Sequence, residues 1–278
     1  MPVSSNVRPL KYMKRRHRLA GQAPANRYRA SAGDGNDADL GHAIFPIVSQ
    51  GVDGTFIAIG TGFFVAENGV FITAAHVVTA VLDDHGNVTG PFGLFQFLSG
   101  GQYYVRPIHR ATRHLVADVA VGVAVPMHHK TTRAPMPNRL LTLAADPPPL
   151  DSAVCTYAYP KTTVVSGKPQ VVHFEPGYFD GSLLEHFPRG RDAVILPGPC
   201  FRTSMVIHGG ASGGPVIGPN GSVFAVNSTG FEDDDVSYVS CISAALDLAI
   251  PEVVLPGDAS SRPTTLRELT ERGFASRR

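Results

Sequence analysis

Gly209-Gly210-Ala211-Ser212-Gly213-Gly214-Pro215 sets one serine inside a glycine-dense turn, with strand-prone runs on either side. A serine hydroxyl is a poor nucleophile unless it is exposed beside a base, and acyl transfer also needs backbone N–H groups aimed where an oxyanion forms. Gly210 permits a backbone orientation that turns its N–H inward to join that of Ser212. Gly213 and Gly214 let a neighbouring segment approach closely. Read alone, the heptad also fits an ordinary glycine-rich hairpin loop.

Two further stretches decide between these readings. Phe71-Ile72-Thr73-Ala74-Ala75-His76-Val77-Val78 places a histidine at the end of an apolar strand, where it can point into a cleft or serve as a core residue. Ala117-Asp118-Val119-Ala120-Val121 puts a carboxylate at the head of an apolar run, where it is costly to bury without a partner. A histidine Nδ1–H is such a partner.

Short β-prone runs cover 43–49, 55–66, 70–73, 92–98, 103–108 and 119–125, punctuated by Glu67-Asn68-Gly69 and Ser99-Gly100-Gly101. Six such strands close a small barrel. The proline-rich 126–138 reads as a linker, and runs at 153–159, 162–166, 170–174, 193–196, 201–206, 215–217, 223–227 and 238–242 supply a second barrel. A short helix interrupted at Pro251 is expected over 244–254, and a terminal helix over 264–272. The expected organisation is a segment 1–41, a domain 42–255 with barrels at about 42–126 and 139–243, and a tail 256–278.

With the three boxes in the order His76, Asp118, Ser212, the chain resembles the trypsin-like serine peptidases, most closely their HtrA-type branch. The intervals of 42 and 94 residues are also similar to that family. Gly60-Thr61-Gly62-Phe63 followed by Asn68-Gly69 resembles the family's G-[ST]-G-F strand and tight hairpin, so the likeness spans about 42–250. It implies an all-β fold of two six-stranded antiparallel barrels of chymotrypsin type with a short C-terminal helix. It also implies a serine endopeptidase with Ser212 as nucleophile, His76 as general base and Asp118 as orienting carboxylate. The oxyanion donors would be Gly210 and Ser212. Ser228 would lean on the aspartate, and Ser228, Thr229 and Gly230 would pair with substrate backbone.

Three departures stand out. Ala211 replaces the aspartate that in secreted trypsins captures a new amino terminus, so no zymogen switch is expected. Val206, six residues before the serine, replaces the aspartate that selects Lys or Arg, so cleavage after small or medium apolar residues is expected. The chain also ends without room for a PDZ domain, which removes the usual reason to expect peptide-triggered trimers.

The rest of the sequence excludes more than it specifies. The chain has 278 residues, net charge +1, 43% hydrophobic and 8% aromatic residues, 29 Gly, 23 Pro and no Trp, which suits many short strands and gives the body no polyanionic partner. Residues 1–33 hold eight Lys and Arg, among them Arg15 and Arg16, and no acid. They read as a solvated tail, with an Arg-rich transit peptide or an arm for nucleic acid or anionic lipid as rivals. No apolar run spans a membrane and no export signal is present. Together with the odd cysteine count of Cys155, Cys200 and Cys241, this points to free thiols and a cytoplasmic, reducing setting, with one pairing among the three as the alternative. His128-His129 reads as solvated, His208 as a solvent-edge residue, and no spacing points to a metal or cofactor. A polypeptide substrate is the expected partner. The competing functions are a catalytically silent peptide-binding module and a nucleic-acid or membrane-associated protein acting through its basic N-terminus.

Overall fold

A computed structural model describes residues 40–50, 55–83, 85, 87–98, 103–128, 131–132, 138–160, 162–165, 171–231, 236–255, 258 and 260–278. The basic N-terminal segment, Ser99-Gly100-Gly101, His129 and much of the linker lie outside the described residues.

After a turn of helix α1 (Leu40–Ala43), β1 (Ile44–Gln50), β2 (Phe56–Phe64), β3 (Val70–Thr73), β4 (Phe92–Phe97), β5 (Tyr103–Arg113) and β6 (Ala120–Ala124) close an antiparallel barrel in the order β1-β2-β3-β6-β5-β4. Strand alternation sends neighbours to opposite sides. Phe64 fills the barrel with Phe45, Phe71 and Leu94, whereas Phe63 faces the second core shared with the rest of the molecule. The β2–β3 hairpin turns at Gly69, whose φ of +88° favours glycine and whose Cβ would fall 2.6 Å from the Ala124 carbonyl oxygen.

The second barrel uses β7 (Ala153–Ala158) and then, beyond a side hairpin of β8 (Thr163–Val165) and β9 (Val171–His173), β10 (Gly177–Phe187), β11 (Cys200–Thr203), β12 (Pro215–Ile217), β13 (Val223–Phe231) and β14 (Val236–Cys241). Its order is β10-β11-β14-β13-β12-β7, around Val154, Leu183, Phe201, Met205, Val216 and Val239. The two six-stranded barrels match the expected class, with three corrections. Residues 193–196 form a turn, not a strand, and β10 takes the sixth place. Within the runs at 162–166 and 170–174, Thr163–Val165 and Val171–His173 do pair, but in a two-stranded sheet outside the barrel. The helix expected over 244–254 is a 3₁₀ turn at Ile242–Ala245 followed by β15 (Ile250–Val253), which pairs with β16 (Arg262–Thr264).

Helix α2 (Ala75–Thr79) follows β3, and α3 (Leu266–Glu271) closes the chain, capped by Thr265 Oγ1, which accepts from Glu268 N–H at 3.1 Å. The described cysteines are all free and buried. Among the described residues no helix is long and apolar enough to cross a membrane.

Candidate active site

A groove of about 660 Å³ between the barrels gathers His76, Asp118, Ser212 and Ser228, four residues from four different connections or strands. His76 sits on α2 directly after β3, so the strand delivers it to the barrel rim. Asp118 lies in the turn between β5 and β6. That turn is held by His114 Nδ1, which accepts from the Val116 and Ala117 N–H groups at 3.1 and 2.8 Å. Ser212 lies between β11 and β12, and Ser228 on β13.

Asp118 grips His76 twice. The His76 main-chain N–H donates to Oδ1 at 2.9 Å, and the ring Nδ1 lies 2.8 Å from Oδ2. A carboxylate only accepts, so Nδ1 carries the proton and Nε2 is left as a base facing the groove. Ser228 Oγ donates a further hydrogen bond to Asp118 Oδ2. Burial by itself raises the Asp118 pKa. The hydrogen bonds and charge of His76, with the Ser228 bond, outweigh it and hold the carboxyl below its ordinary value. The Ser212 hydroxyl donates to the Ser228 carbonyl at 3.4 Å, and among the described residues no hydrogen bond joins it to the His76 ring. Such contacts often tighten only with substrate.

The turn before the nucleophile has the form its glycines suggest. Ala211 N–H donates to the His208 carbonyl at 3.2 Å, and Gly210 has φ +86° while Gly209 does not enter the left-handed region. This is a type II turn with glycine at its third position. The amides of Ala211, Gly213 and Gly214 are used internally. Those of Gly210 and Ser212 donate to nothing among the described residues, so they are free to receive an anionic oxygen.

Ser228, Thr229 and Gly230 line the groove, and Val206 does not. Val206 is 39% exposed and points away, whereas Ile207, 9% exposed, takes the wall position. A one-residue offset in an extended segment reverses which side chain faces in. Ile207 N–H is tied to Ser237 Oγ at 3.0 Å, which fixes that register. His208 is exposed at the groove edge with its ring against Phe179. Sequence reasoning missed Ile207, Asn227 and Thr61. Among the described residues no group of three or more His, Cys, Asp or Glu could hold a metal ion.

A family model described as the trypsin-like peptidase domain matches residues 60–226, more than half of the chain. No curated protein sequence matches it. Among solved structures, the active form of the Rv3671c protease from M. tuberculosis is 17% identical, with a TM-score of 0.54 over 82% of this chain and 85% of that one. Deg5 is 16% identical, with a TM-score of 0.52 over 73% and 85% of the respective chains. At this identity the two structures speak for the fold alone. The matched span runs from the Gly60 strand to the strand that carries Asn227 and Ser228, and the chain belongs to the trypsin-like peptidase family as a serine endopeptidase on a double β-barrel.

Proposed function

We propose that the protein cleaves polypeptides through an acyl-enzyme on Ser212, with His76 as base and then acid and Asp118 holding the imidazole tautomer. The observation that carries this reading is the double grip of Asp118 on His76 beside Ser212 in one groove. Ser212 Oγ attacks the carbonyl carbon while Nε2 takes its proton. The resulting oxyanion meets the Gly210 and Ser212 N–H groups. Collapse expels the amine, which leaves with the proton from Nε2, and water repeats the sequence to free the acid.

The side chain before the scissile bond is proposed to be small or medium and apolar. Gly230 runs so close to Ile207 that a Cβ on it would lie 2.6 Å from the Ile207 carbonyl oxygen, which leaves a narrow slot with an apolar wall. Among the described residues it offers no carboxylate to a lysine or arginine, whose burial there would cost several kcal/mol. Purified wild type should take a fluorophosphonate label and cleave peptides ending in Val or Ala ahead of those ending in Lys. Ser212→Ala should abolish labelling and lower kcat by roughly 10⁴ to 10⁶, and Asp118→Asn should cost about 10⁴. Equal turnover by Ser212→Ala would sink the serine mechanism, and a preference for Lys would sink the slot.

A further inference from the structure

Thr61 on β2 does more than continue a strand. In the turn around the nucleophile, the His208 carbonyl accepts from Ala211 N–H, and the Ala211 carbonyl accepts from Gly214 N–H at 3.0 Å and Asn227 Nδ2 at 3.2 Å. The carbonyls of Gly210 and Ser212 both go to Thr61, which belongs to the other barrel. Its N–H donates to the Ser212 carbonyl at 2.8 Å, and its Oγ1 donates to the Gly210 carbonyl at 2.9 Å. Thr61 is itself fully buried and fully committed. Its hydroxyl accepts from Tyr159 N–H at 3.1 Å, and its carbonyl accepts from Thr73 Oγ1 at 2.7 Å.

The approach is possible because glycines flank it. A Cβ on Gly213 would lie 2.3 Å from the Thr61 carbonyl oxygen, and one on Gly60 would lie 3.0 Å from the Ser212 carbonyl oxygen. Peptide planes are rigid, so fixing the Gly210 carbonyl fixes the rotation of the plane that follows Gly210. The Ser212 carbonyl likewise fixes the plane that follows Ser212, so the plane between them, which carries the Ser212 N–H, is held at both ends, and loss of the Thr61 hydroxyl leaves the Gly210 carbonyl without its partner. Ala211, buried in the same turn, has no polar side chain that could do this work.

We propose that Thr61 is the positioning residue that keeps the Ser212 amide in place by holding the peptide planes on both sides of it, acting from the N-terminal barrel on a turn of the C-terminal one. Thr61 has this role only if Ser212 is the nucleophile. Thr61→Val keeps the shape and loses the hydroxyl, and Thr61→Ser keeps the hydroxyl. With a fluorogenic peptide ending in Val, Thr61→Val is expected to lower kcat per fluorophosphonate-titratable site about 10- to 100-fold with KM within about twofold. Thr61→Ser is expected to stay within about threefold of wild type. A purely structural role would lower the number of titratable sites and leave kcat per site unchanged. A per-site kcat for Thr61→Val within threefold of wild type, or equal losses in the Val and Ser variants, overturns the proposal. Should Thr61→Val not fold, Thr61→Cys takes its place. Slow turnover at unchanged KM beside a normal Thr61→Ser supports the role, and parity between the two overturns it. A wild type that neither cleaves the peptide nor takes the label removes the peptidase reading itself, and this role with it.

Discussion

Asp118 shows how much chemistry one buried carboxylate can reveal. Its hydrogen bonds outweigh the cost of burial, so its folded-state pKa lies below the unfolded value. The stability it contributes is therefore complete above the unfolded carboxylate range and is lost as pH falls through the folded pKa. Ser228 supplies one of the bonds that hold the carboxyl down. Ser228→Ala should raise the Asp118 midpoint, followed by carbon-detected NMR of the carboxyl, and should lower kcat about tenfold at neutral pH. An unmoved midpoint would show that Ser228 does not tune Asp118. Residues that carry a charge into an apolar run, like Asp118, were legible in the sequence because burial demands a partner. Thr61 was not, because a threonine in a strand is ordinary and its partners lie about 150 residues further along the chain. Counting six residues back from Ser212 picks Val206 because it borrows another chain's loop length, whereas Ile207 lines the groove here.

Among the elements, β10 escaped the sequence while the apolar 193–196 imitated a strand. Along Gly177–Phe187 only Gly177 and Leu183 are buried, and a bulge between Leu183 and Glu185 breaks the alternation, so no period of two survives. Residues 193–196 are shaped by Asp192 Oδ1 instead, which accepts from the N–H groups of Val194, Ile195 and Leu196. This cap turns Val194 and Ile195 outward, 87% and 53% exposed, while His114 does the same on the other barrel for Leu115, 91% exposed. The two loops touch where a Cβ on Gly198 would fall 2.5 Å from the Ala117 Cα. Together they give the groove an apolar rim. Apolar surface held out by polar caps marks a contact surface. Replacing Leu115 and Val194 by Ser should lower kcat/KM about tenfold for peptides with leucines upstream of the cleaved bond. Peptides with Ser and Gly at those positions should be cut as before. A uniform loss on both peptide sets would show that the rim supports the fold and does not read the substrate.

At the scale of the whole molecule, the two barrels are joined by more than the linker between them. The last residues cross both. Ala275 bridges to Ala66 next to the β2–β3 hairpin. The Ser276 carbonyl accepts from Leu143 N–H at 2.8 Å, and the Arg278 carbonyl accepts from Ala145 N–H at 2.6 Å at the entry to the second barrel. Leu266 and Leu269 of α3 are fully buried in the same core as Phe63, Ile72, Leu141 and Val226, which draws on both barrels. Leu269→Ala should therefore cost about 2–5 kcal/mol in denaturant unfolding, as a large-to-small change at a fully buried core site. A chain ending at residue 261 loses α3, the bridge to Ala66 and the main-chain bonds to Leu143 together. It should lose far more than Leu269→Ala and melt over a broader, earlier transition, because the barrels no longer share their closing segment. The groove lies between those barrels and Thr61 ties one to the nucleophile turn of the other, so labelling of Ser212 by fluorophosphonate should decay with temperature ahead of wild type and in step with that early transition. A truncated chain with an unchanged melting curve would show that the tail rests on the barrels without holding them together. A chain that melts early yet keeps labelling at the wild-type rate beyond that transition would place the coupling of the two barrels at Thr61 and the linker instead.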